Sequence, residues 1–130
     1  MKPYTLIFIG RPGSGKGTQA QLLQETLKKK DSGREIFYLE TGARFRTFIK
    51  QEGYTQELAR KAYMAGLRLP AFLAVWTWGS IFVEELTPDK HLFIDGTPRS
   101  MPEALALDSA LMFYDRKPYV VYLDVSDDVS

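Results

Sequence analysis

The sequence predicts an α/β fold built around a mainly parallel β-sheet. Short apolar runs alternate with stretches of helical periodicity, which is the order that a parallel sheet with right-handed crossover helices requires. The first run, residues 4–9, has almost no apolar–polar alternation, as is typical of a strand buried on both faces. A glycine-rich segment joins it to the first helical stretch. The 130 residues are enough for one domain with its own core.

Local signals place the elements in order along the chain. Strands are expected at four short apolar runs bounded by polar residues, glycine or proline, namely residues 4–9, 36–39, 92–95 and 119–125. Helices are expected where apolar residues recur at helical spacing, namely residues 16–30, 43–52, 55–65, 70–86 and 102–114. Another helix is expected to begin near Asp127.

Helix-boundary and packing signals refine these assignments. In the first helix, one apolar face is predicted to hold Ala20, Leu22, Leu23 and Leu27. The pair Thr41-Gly42 is expected to break the second strand, and Thr55 is expected to cap the third helix. Proline suits the first turn of a helix, so Pro70 and Pro102 indicate two helix starts. The large apolar residues of the fourth helix are expected to lie in the core: Phe72, Val75, Trp76, Trp78, Ile81 and Phe82.

Composition excludes several classes of function. The formal net charge is +1, so no basic surplus argues for nucleic acid as a partner. The chain has no cysteine, which excludes disulfides, thiol catalysis and thiolate metal sites. No apolar stretch is long enough for a membrane span, and the N-terminus lacks a cleavage-site pattern. We therefore expect a cytoplasmic monomer that binds neither nucleic acid nor a membrane.

The glycine-rich segment has the layout of a phosphate-binding loop. It reads GRPGSGKGT from Gly10, and Gly10, Gly15 and Lys16 fit the G-x-x-x-x-G-K core. Its backbone N–H groups and the helix N-terminus favour an anion, and Lys16 supplies a point charge for the outer phosphates of a nucleoside triphosphate. The usual Ser/Thr position is Gly17, and the hydroxyl follows at Thr18. A tight strand-to-helix turn without a ligand is the alternative. The agreement of glycines, lysine, hydroxyl and flanking elements disfavours it.

A second motif follows the second predicted strand. Thr41 and Gly42 stand at the strand exit, and Arg46 lies one helical turn further on. The planar guanidinium of arginine suits bidentate contact with a phosphate. The alternative for both Arg44 and Arg46 is a solvated helix face. The neighbouring motifs favour phosphate binding for Arg46, and the role of Arg44 stays open.

A third motif, Asp95-Gly96-Thr97-Pro98-Arg99, follows the third predicted strand. Because the carboxyl ends of parallel strands share one edge of a sheet, this motif is expected beside the phosphate loop. Asp95 is well placed there to hold Mg²⁺ or its water shell. Gly96 permits close approach by a ligand, and Arg99 supplies another phosphate clamp. A plain Asp-Gly turn is the alternative.

Together, the three motifs resemble those of the adenylate kinase family of nucleoside monophosphate kinases. Their order and spacing match the family from residue 6 to about residue 125. The resemblance implies a P-loop three-layer sandwich with strand order 2-3-1-4, forming one domain over residues 1–130. Residues 42–69 would be a helical flap that binds the monophosphate. The implied reaction transfers the γ-phosphoryl group of ATP to a nucleoside monophosphate, with Mg²⁺.

The resemblance also implies roles for individual residues. The donor phosphates would be held by Gly13, Ser14, Gly15, Lys16, Gly17 and Thr18. The acceptor would be held by Thr41, Gly42, Arg46, Leu67, Arg68, Leu69, Gly96, Thr97, Pro98, Arg99 and Glu103. Lys16, Arg46 and Arg99 would act in catalysis, and Asp95 would bind Mg²⁺ through water.

The chain departs from the family pattern at several points. Glu103 stands where the family has Gln or Asn reading the acceptor base, Thr97 replaces an aromatic residue, and Ala43 replaces an acidic one. A carboxylate only accepts hydrogen bonds, so it suits a base edge with two donors, such as that of guanine. AMP remains the first expectation for the acceptor, with the choice of base open.

Family members continue into a lid that carries several arginines, then a fifth strand and a final helix. This sequence ends at Ser130, so we expect a chain truncated before the lid. The alternatives to an active kinase are a non-catalytic or weakly active nucleotide-binding fragment and, less favoured, another small-molecule P-loop kinase.

Overall fold

A computed structural model of the protein describes residues 2–10 and 15–123. The strands in these residues are β1 (Thr5–Gly10), β2 (Ile36–Glu40), β3 (His91–Asp95) and β4 (Pro118–Leu123). The helices are α1 (Lys16–Lys30), α2 (Thr41–Phe48), α3 (Tyr54–Met64), α4 (Ala71–Glu85) and α5 (Met101–Phe113). None of these helices is both long and apolar enough to cross a bilayer.

The four strands form one parallel sheet in the order β2-β3-β1-β4. The predicted α/β class and the predicted strand order are therefore confirmed. Every residue of β3 is buried, because β3 lies between two strands and both faces of the sheet are covered. The register places Asp95 opposite Phe8 of β1 and opposite Glu40 of β2. The exits of these three strands therefore meet at one edge of the sheet.

Two hydrophobic clusters cover the two faces of the sheet and make three layers. On one face, α4 and α5 pack against the strands through Trp78, Phe82 and Leu107. On the other face, α1 packs through Ala20 and Leu27. A third, smaller cluster joins α2 and α3 to α4 and consists of Phe45, Phe48, Ile49, Ala59 and Leu73. The segment between β2 and α4 thus has a small apolar core of its own.

The predicted start of the second helix was wrong by two residues. Thr41 and Gly42 do end the second strand, as predicted, and they also form the first turn of α2. The side chain of Glu40 explains this start, because it accepts hydrogen bonds from the N–H groups of Gly42 and Ala43, both at 2.9 Å. The residue that caps α3 is Gly53, so Thr55, the predicted cap, lies inside the helix.

Some predicted core positions are exposed. Leu22 of α1 is 49% exposed, and Phe72 and Trp76 of α4 are 70% and 53% exposed. On α4 the buried face carries Trp78, Ile81 and Phe82, as predicted. The end of the fourth predicted strand at Val125 and the helix near Asp127 lie outside the described residues.

His91 lies at the opposite edge of the sheet and is fully buried. Its Nδ1 accepts a hydrogen bond from the backbone N–H of Tyr4 at 2.8 Å, so the neutral ring carries its proton on Nε2. Nε2 lies 3.4 Å from Oδ2 of Asp31. Burial, with the charges of Arg34 and Arg116, lowers the pKa of His91, and Asp31 opposes this shift. A proton on Nδ1 would also disfavour the charged ring, because that N–H and the backbone N–H of Tyr4 would then point at each other and neither could accept.

We predict that His91 makes the fold sensitive to acid. A lowered folded-state pKa contributes stability that is complete above the unfolded-state value of about 6.5 and is lost as the pH falls toward the folded-state pKa. In urea unfolding between about pH 7.5 and pH 5, the unchanged chain should lose more free energy of unfolding than the His91→Asn variant. His91 is the only histidine in the chain, so no other imidazole titrates in this range. Parallel pH profiles for the two proteins would contradict the prediction.

Candidate functional site

An ion pair joins the first helix to the third strand at the carboxyl edge of the sheet. Nζ of Lys16 lies 2.8 Å from Oδ1 of Asp95, and the two side chains are 24% and 12% exposed. Lys16 is the first residue of α1, and Asp95 is the last residue of β3. The structure therefore brings together two residues of two different predicted motifs.

Tyr38 completes this arrangement, and the sequence analysis did not find it. Its hydroxyl donates a hydrogen bond to Oδ2 of Asp95 at 2.8 Å. Burial, followed by this hydrogen bond to Asp95, raises the pKa of Tyr38, so the phenol remains a donor. The only available signal was indirect: the strand order places β2 beside β3, which carries Asp95.

The N-terminus of α1 is suited to bind an anion. Gly15 has a φ of +90°, a left-handed conformation that favours glycine, and turns the chain into the helix. Gly17 and Thr18 follow in the first turn and are exposed, and no acidic side chain stands in that turn. The positive end of the helix is therefore not neutralised by its own first turn. Gly13 and Ser14, also predicted to hold phosphates, lie outside the described residues.

One cavity, here called the Glu103 cavity, lies between α2, the α3–α4 loop and the residues after β3. Nine predicted acceptor residues line it: Thr41, Gly42, Leu67, Arg68, Leu69, Gly96, Thr97, Arg99 and Glu103. Phe45, Ala74 and Thr77 also line it and were not predicted. Only the fold shows that these positions of α2 and α4 border a cavity.

A second cavity, here called the Lys16 cavity, opens beside the start of α1. Its lining consists of Phe8, Ile9, Gly10, Lys16, Arg68, Gly96, Thr97, Pro98 and Arg99. Arg68, Gly96, Thr97 and Arg99 line both cavities. The two spaces are therefore neighbours, separated by residues that could contact ligands in both.

The boundary between the cavities is held by close backbone contacts. Gly96 has a φ of +89°, and a Cβ there would lie 2.9 Å from Oγ1 of Thr41. Nε of Arg99 donates to the carbonyl oxygen of Gly96 at 3.0 Å. Arg68 donates to the carbonyl oxygen of Arg99 at 3.4 Å. Two guanidinium groups thus lie at the junction, where they could attract phosphate groups from either side.

Glu103 lies in the first turn of α5 and is only 6% exposed. Its Oε2 accepts a hydrogen bond from the hydroxyl of Ser100 at 2.9 Å. The same Ser100 oxygen accepts the N–H of Glu103 at 3.4 Å and caps the helix. This cap fixes the position of the carboxylate in the cavity wall.

Arg46 lies close to one other predicted residue, because its Nη1 would be 3.1 Å from a Cβ placed on Gly42. Its guanidinium is 3.6 Å from Oε2 of Glu40, its side chain is 56% exposed, and it lines neither cavity described above. Arg44 lies 3.3 Å from Oε2 of Glu85 and so links α2 to α4. A phosphate-binding role for Arg46 stays a prediction.

The donor set fits magnesium held through water better than direct coordination. Among residues 2–10 and 15–123, no group of three or more His, Asp or Glu side chains is arranged to hold a metal ion. Asp95 is a single carboxylate whose oxygens each have one partner among the described residues and keep further lone pairs. Mg²⁺ usually keeps several waters and needs only one or two carboxylates, so Asp95 suits a contact with its water shell.

Comparison with known sequences places the chain among related proteins. The family described as "AAA domain" matches residues 9–129. An adenylate kinase of Chlamydia pneumoniae is 34% identical over 128 residues, covering 98% of this chain and 56% of the relative. One of Geobacillus sp. (strain WCH70) is 35% identical over 129 residues, covering 95% of this chain and 54% of the relative. The chain spans about half the length of the curated relatives it matches.

We predict that the Tyr38 hydroxyl stabilises the fold through Asp95. Tyr38→Phe removes the donor to a nearly buried carboxylate oxygen, which should lower the free energy of unfolding by about 1–3 kcal/mol. Urea unfolding measures the change. Tyr119→Phe is the matched control, because Tyr119 is 57% exposed, and it should change stability by less than about 0.5 kcal/mol. Equal effects of the two substitutions would contradict a specific role for Tyr38.

Proposed function

We propose that this chain transfers the γ-phosphoryl group of ATP to a nucleoside monophosphate. The chain belongs to the AAA domain family. It is also related to adenylate kinases, as its motifs predicted. The observation that carries this proposal is the pair of neighbouring cavities. One contains Lys16, the other contains Glu103, and both contain Arg68 and Arg99. A phosphoryl donor and a phosphoryl acceptor need two such adjoining sites, with positive charge where their phosphates meet.

On the donor side, ATP would bind at the N-terminus of α1 through Gly13 to Thr18. Lys16 would leave Asp95 and bind the outer phosphates, because their greater negative charge attracts the ammonium group more strongly. Asp95 would then be free to accept hydrogen bonds from the water shell of Mg²⁺. When bound, Mg²⁺ neutralises the phosphate charges and orients them. Tyr38 would keep Asp95 in place during this exchange of partners.

On the acceptor side, the monophosphate would lie in the Glu103 cavity with its phosphate toward Arg99. Thr41, Gly42, Gly96 and the 67–69 loop would enclose the rest of the molecule, with Arg46 a further candidate. No protein nucleophile is needed, because positioning and charge neutralisation supply the catalysis.

Residues 42–69 would act as a flap over the acceptor. The separate apolar cluster of α2 and α3 supports movement as a unit, and closure would exclude water that otherwise hydrolyses ATP. We further propose a cytoplasmic monomer that acts on small-molecule nucleotides, with AMP as the simplest acceptor. The near-neutral net charge supports the absence of nucleic-acid binding.

One observation favours a second candidate, namely nucleotide binding with little phosphoryl transfer. Arg46, a predicted catalytic residue, lies against Glu40 and lines neither cavity described above. A coupled assay of ADP formation with and without a monophosphate separates the candidates. Turnover that depends on the monophosphate supports the kinase. Saturable ATP binding without such turnover supports the binding protein.

We predict that Lys16→Ala weakens ATP binding about tenfold or more, because the outer phosphates lose a charge-assisted contact. Equilibrium titration with a fluorescent ATP analogue measures the loss. Lys28→Ala is the control, since Lys28 is an exposed lysine in the last turn of the same helix. Affinity unchanged by Lys16→Ala, or reduced equally by both substitutions, would contradict a phosphate site at the start of α1.

We also predict that Arg99→Ala weakens the binding of the nucleoside monophosphate more than the binding of ATP. Removing its guanidinium should raise the dissociation constant of the monophosphate about tenfold or more. The monophosphate is titrated in the presence of a saturating, non-hydrolysable ATP analogue. Arg44→Ala is the control, because Arg44 is exposed and pairs with Glu85, and it should leave the affinity unchanged. An equal loss in both variants would refute the placement of the phosphate at Arg99.

A further inference from the structure

Glu103 is a buried carboxylate without a cationic partner in the described part of the chain. Its side chain lines the Glu103 cavity, and the residue is 6% exposed. Among residues 2–10 and 15–123, no Lys, Arg or His nitrogen lies within 4.0 Å of it, and its one side-chain hydrogen bond is the bond from Ser100. A carboxylate removed from water needs donors, and here one oxygen has no protein donor in the described residues.

Two hydroxyl groups in or next to the Glu103 cavity already donate to protein acceptors. The hydroxyl proton of Ser100 is committed to Oε2 of Glu103. The hydroxyl proton of Thr77, another buried lining residue, is committed to the carbonyl oxygen of Leu73 at 2.8 Å. Neither hydroxyl can therefore donate to a ligand without losing its present bond. A molecule that binds against Glu103 must bring its own hydrogen-bond donors.

The nucleobases differ in the hydrogen-bond donors that they can offer to Glu103. Guanine presents two adjacent donors, N1–H and the 2-amino group, which match the two oxygens of one carboxylate. Adenine and cytosine present one amino group beside a ring nitrogen that is itself an acceptor. That lone pair would face the carboxylate unfavourably. Uracil has a single N–H between two carbonyl oxygens.

We infer that the Glu103 cavity selects a guanine base and that Glu103 is the specificity-determining residue. The inference rests on the proposed function, because it assigns the base of the monophosphate in that same cavity. The arginines at the junction would hold the phosphate whatever the base is. Glu103, about 94% buried, would decide which base fills the other part of the cavity.

Three monophosphates that differ only in the base test the inference on the unchanged chain. GMP offers both donors, IMP lacks the 2-amino group and offers N1–H alone, and AMP has an acceptor at N1. Isothermal titration in the presence of a saturating, non-hydrolysable ATP analogue should give the affinity order GMP, IMP, AMP. GMP should bind at least about tenfold more tightly than AMP, because guanine can donate two hydrogen bonds to the carboxylate of Glu103 and adenine cannot.

A substitution tests the residue itself. In Glu103→Gln the amide can donate to N1 of adenine and accept from its amino group, so the preference should shift toward AMP by about tenfold or more. Asp108→Asn is the matched control, because it removes a carboxylate from an exposed position of the same helix. It should leave the order of the three ligands unchanged.

The outcomes distinguish this inference from the proposed function. If AMP binds as tightly as GMP, or if the preference for GMP persists in Glu103→Gln, the inference is overturned while monophosphate binding stands. If no monophosphate binds although the ATP analogue does, both the inference and the acceptor half of the proposed function are overturned. The ligand order in the unchanged chain remains decisive even if Glu103→Gln does not fold.

Discussion

The parallel pairing of β1 with β3 decides where a site can form in this protein. The register sets Phe8 opposite Asp95, so β1 and β3 end at the same edge of the sheet. Lys16, at the start of the helix that follows β1, can therefore reach Asp95 at 2.8 Å. A slip of one residue would turn Asp95 to the other face and remove this contact. Burial of β3 on both faces makes such a slip costly, because it would misplace all five buried side chains of the strand, three apolar and two polar.

The contacts of Asp95 at this edge satisfy its carboxylate. A buried carboxylate is unfavourable unless it is paired and hydrogen-bonded. Asp95 meets this condition with two partners, an ammonium group on one oxygen and the Tyr38 hydroxyl on the other. Only the first partner is mobile, because lysine has a long flexible stem whereas the phenol is fixed in β2. Replacement of Lys16 by another positive or donating group would leave Asp95 in place, and the site would need no rearrangement of the sheet.

The resemblance to a known family supplied the predicted strand order and most of the predicted residues around the two cavities. Local patterns predicted the fold class and the three motifs at the strand exits. They succeeded because glycine, proline and apolar runs act over a few residues, and parallel strands collect their exits at one edge. They failed where the two residues of a contact lie far apart in the sequence, or where one side chain has two competing partners. Tyr38 and Asp95 are 57 positions apart, and nothing near Tyr38 signals that contact. Glu40 was given no role, yet its side chain caps α2 and also attracts Arg46. The exposure of Trp76 follows from the direction of α4, which a single-helix pattern cannot give.

The apolar clusters divide the residues around the Glu103 cavity between two parts of the protein. The sheet is stabilised by α1, α4 and α5, whereas α2 and α3 pack through a separate cluster onto α4. The Glu103 cavity lies between these two parts, and its lining includes Thr41 and Gly42 at one end of the α2–α3 segment and the 67–69 loop at the other. Any ligand in the cavity would therefore contact both ends of the proposed flap. Glu103 belongs to the sheet side, in the first turn of α5. Under the proposed function, a change there would alter what the cavity accepts without altering how the flap is built.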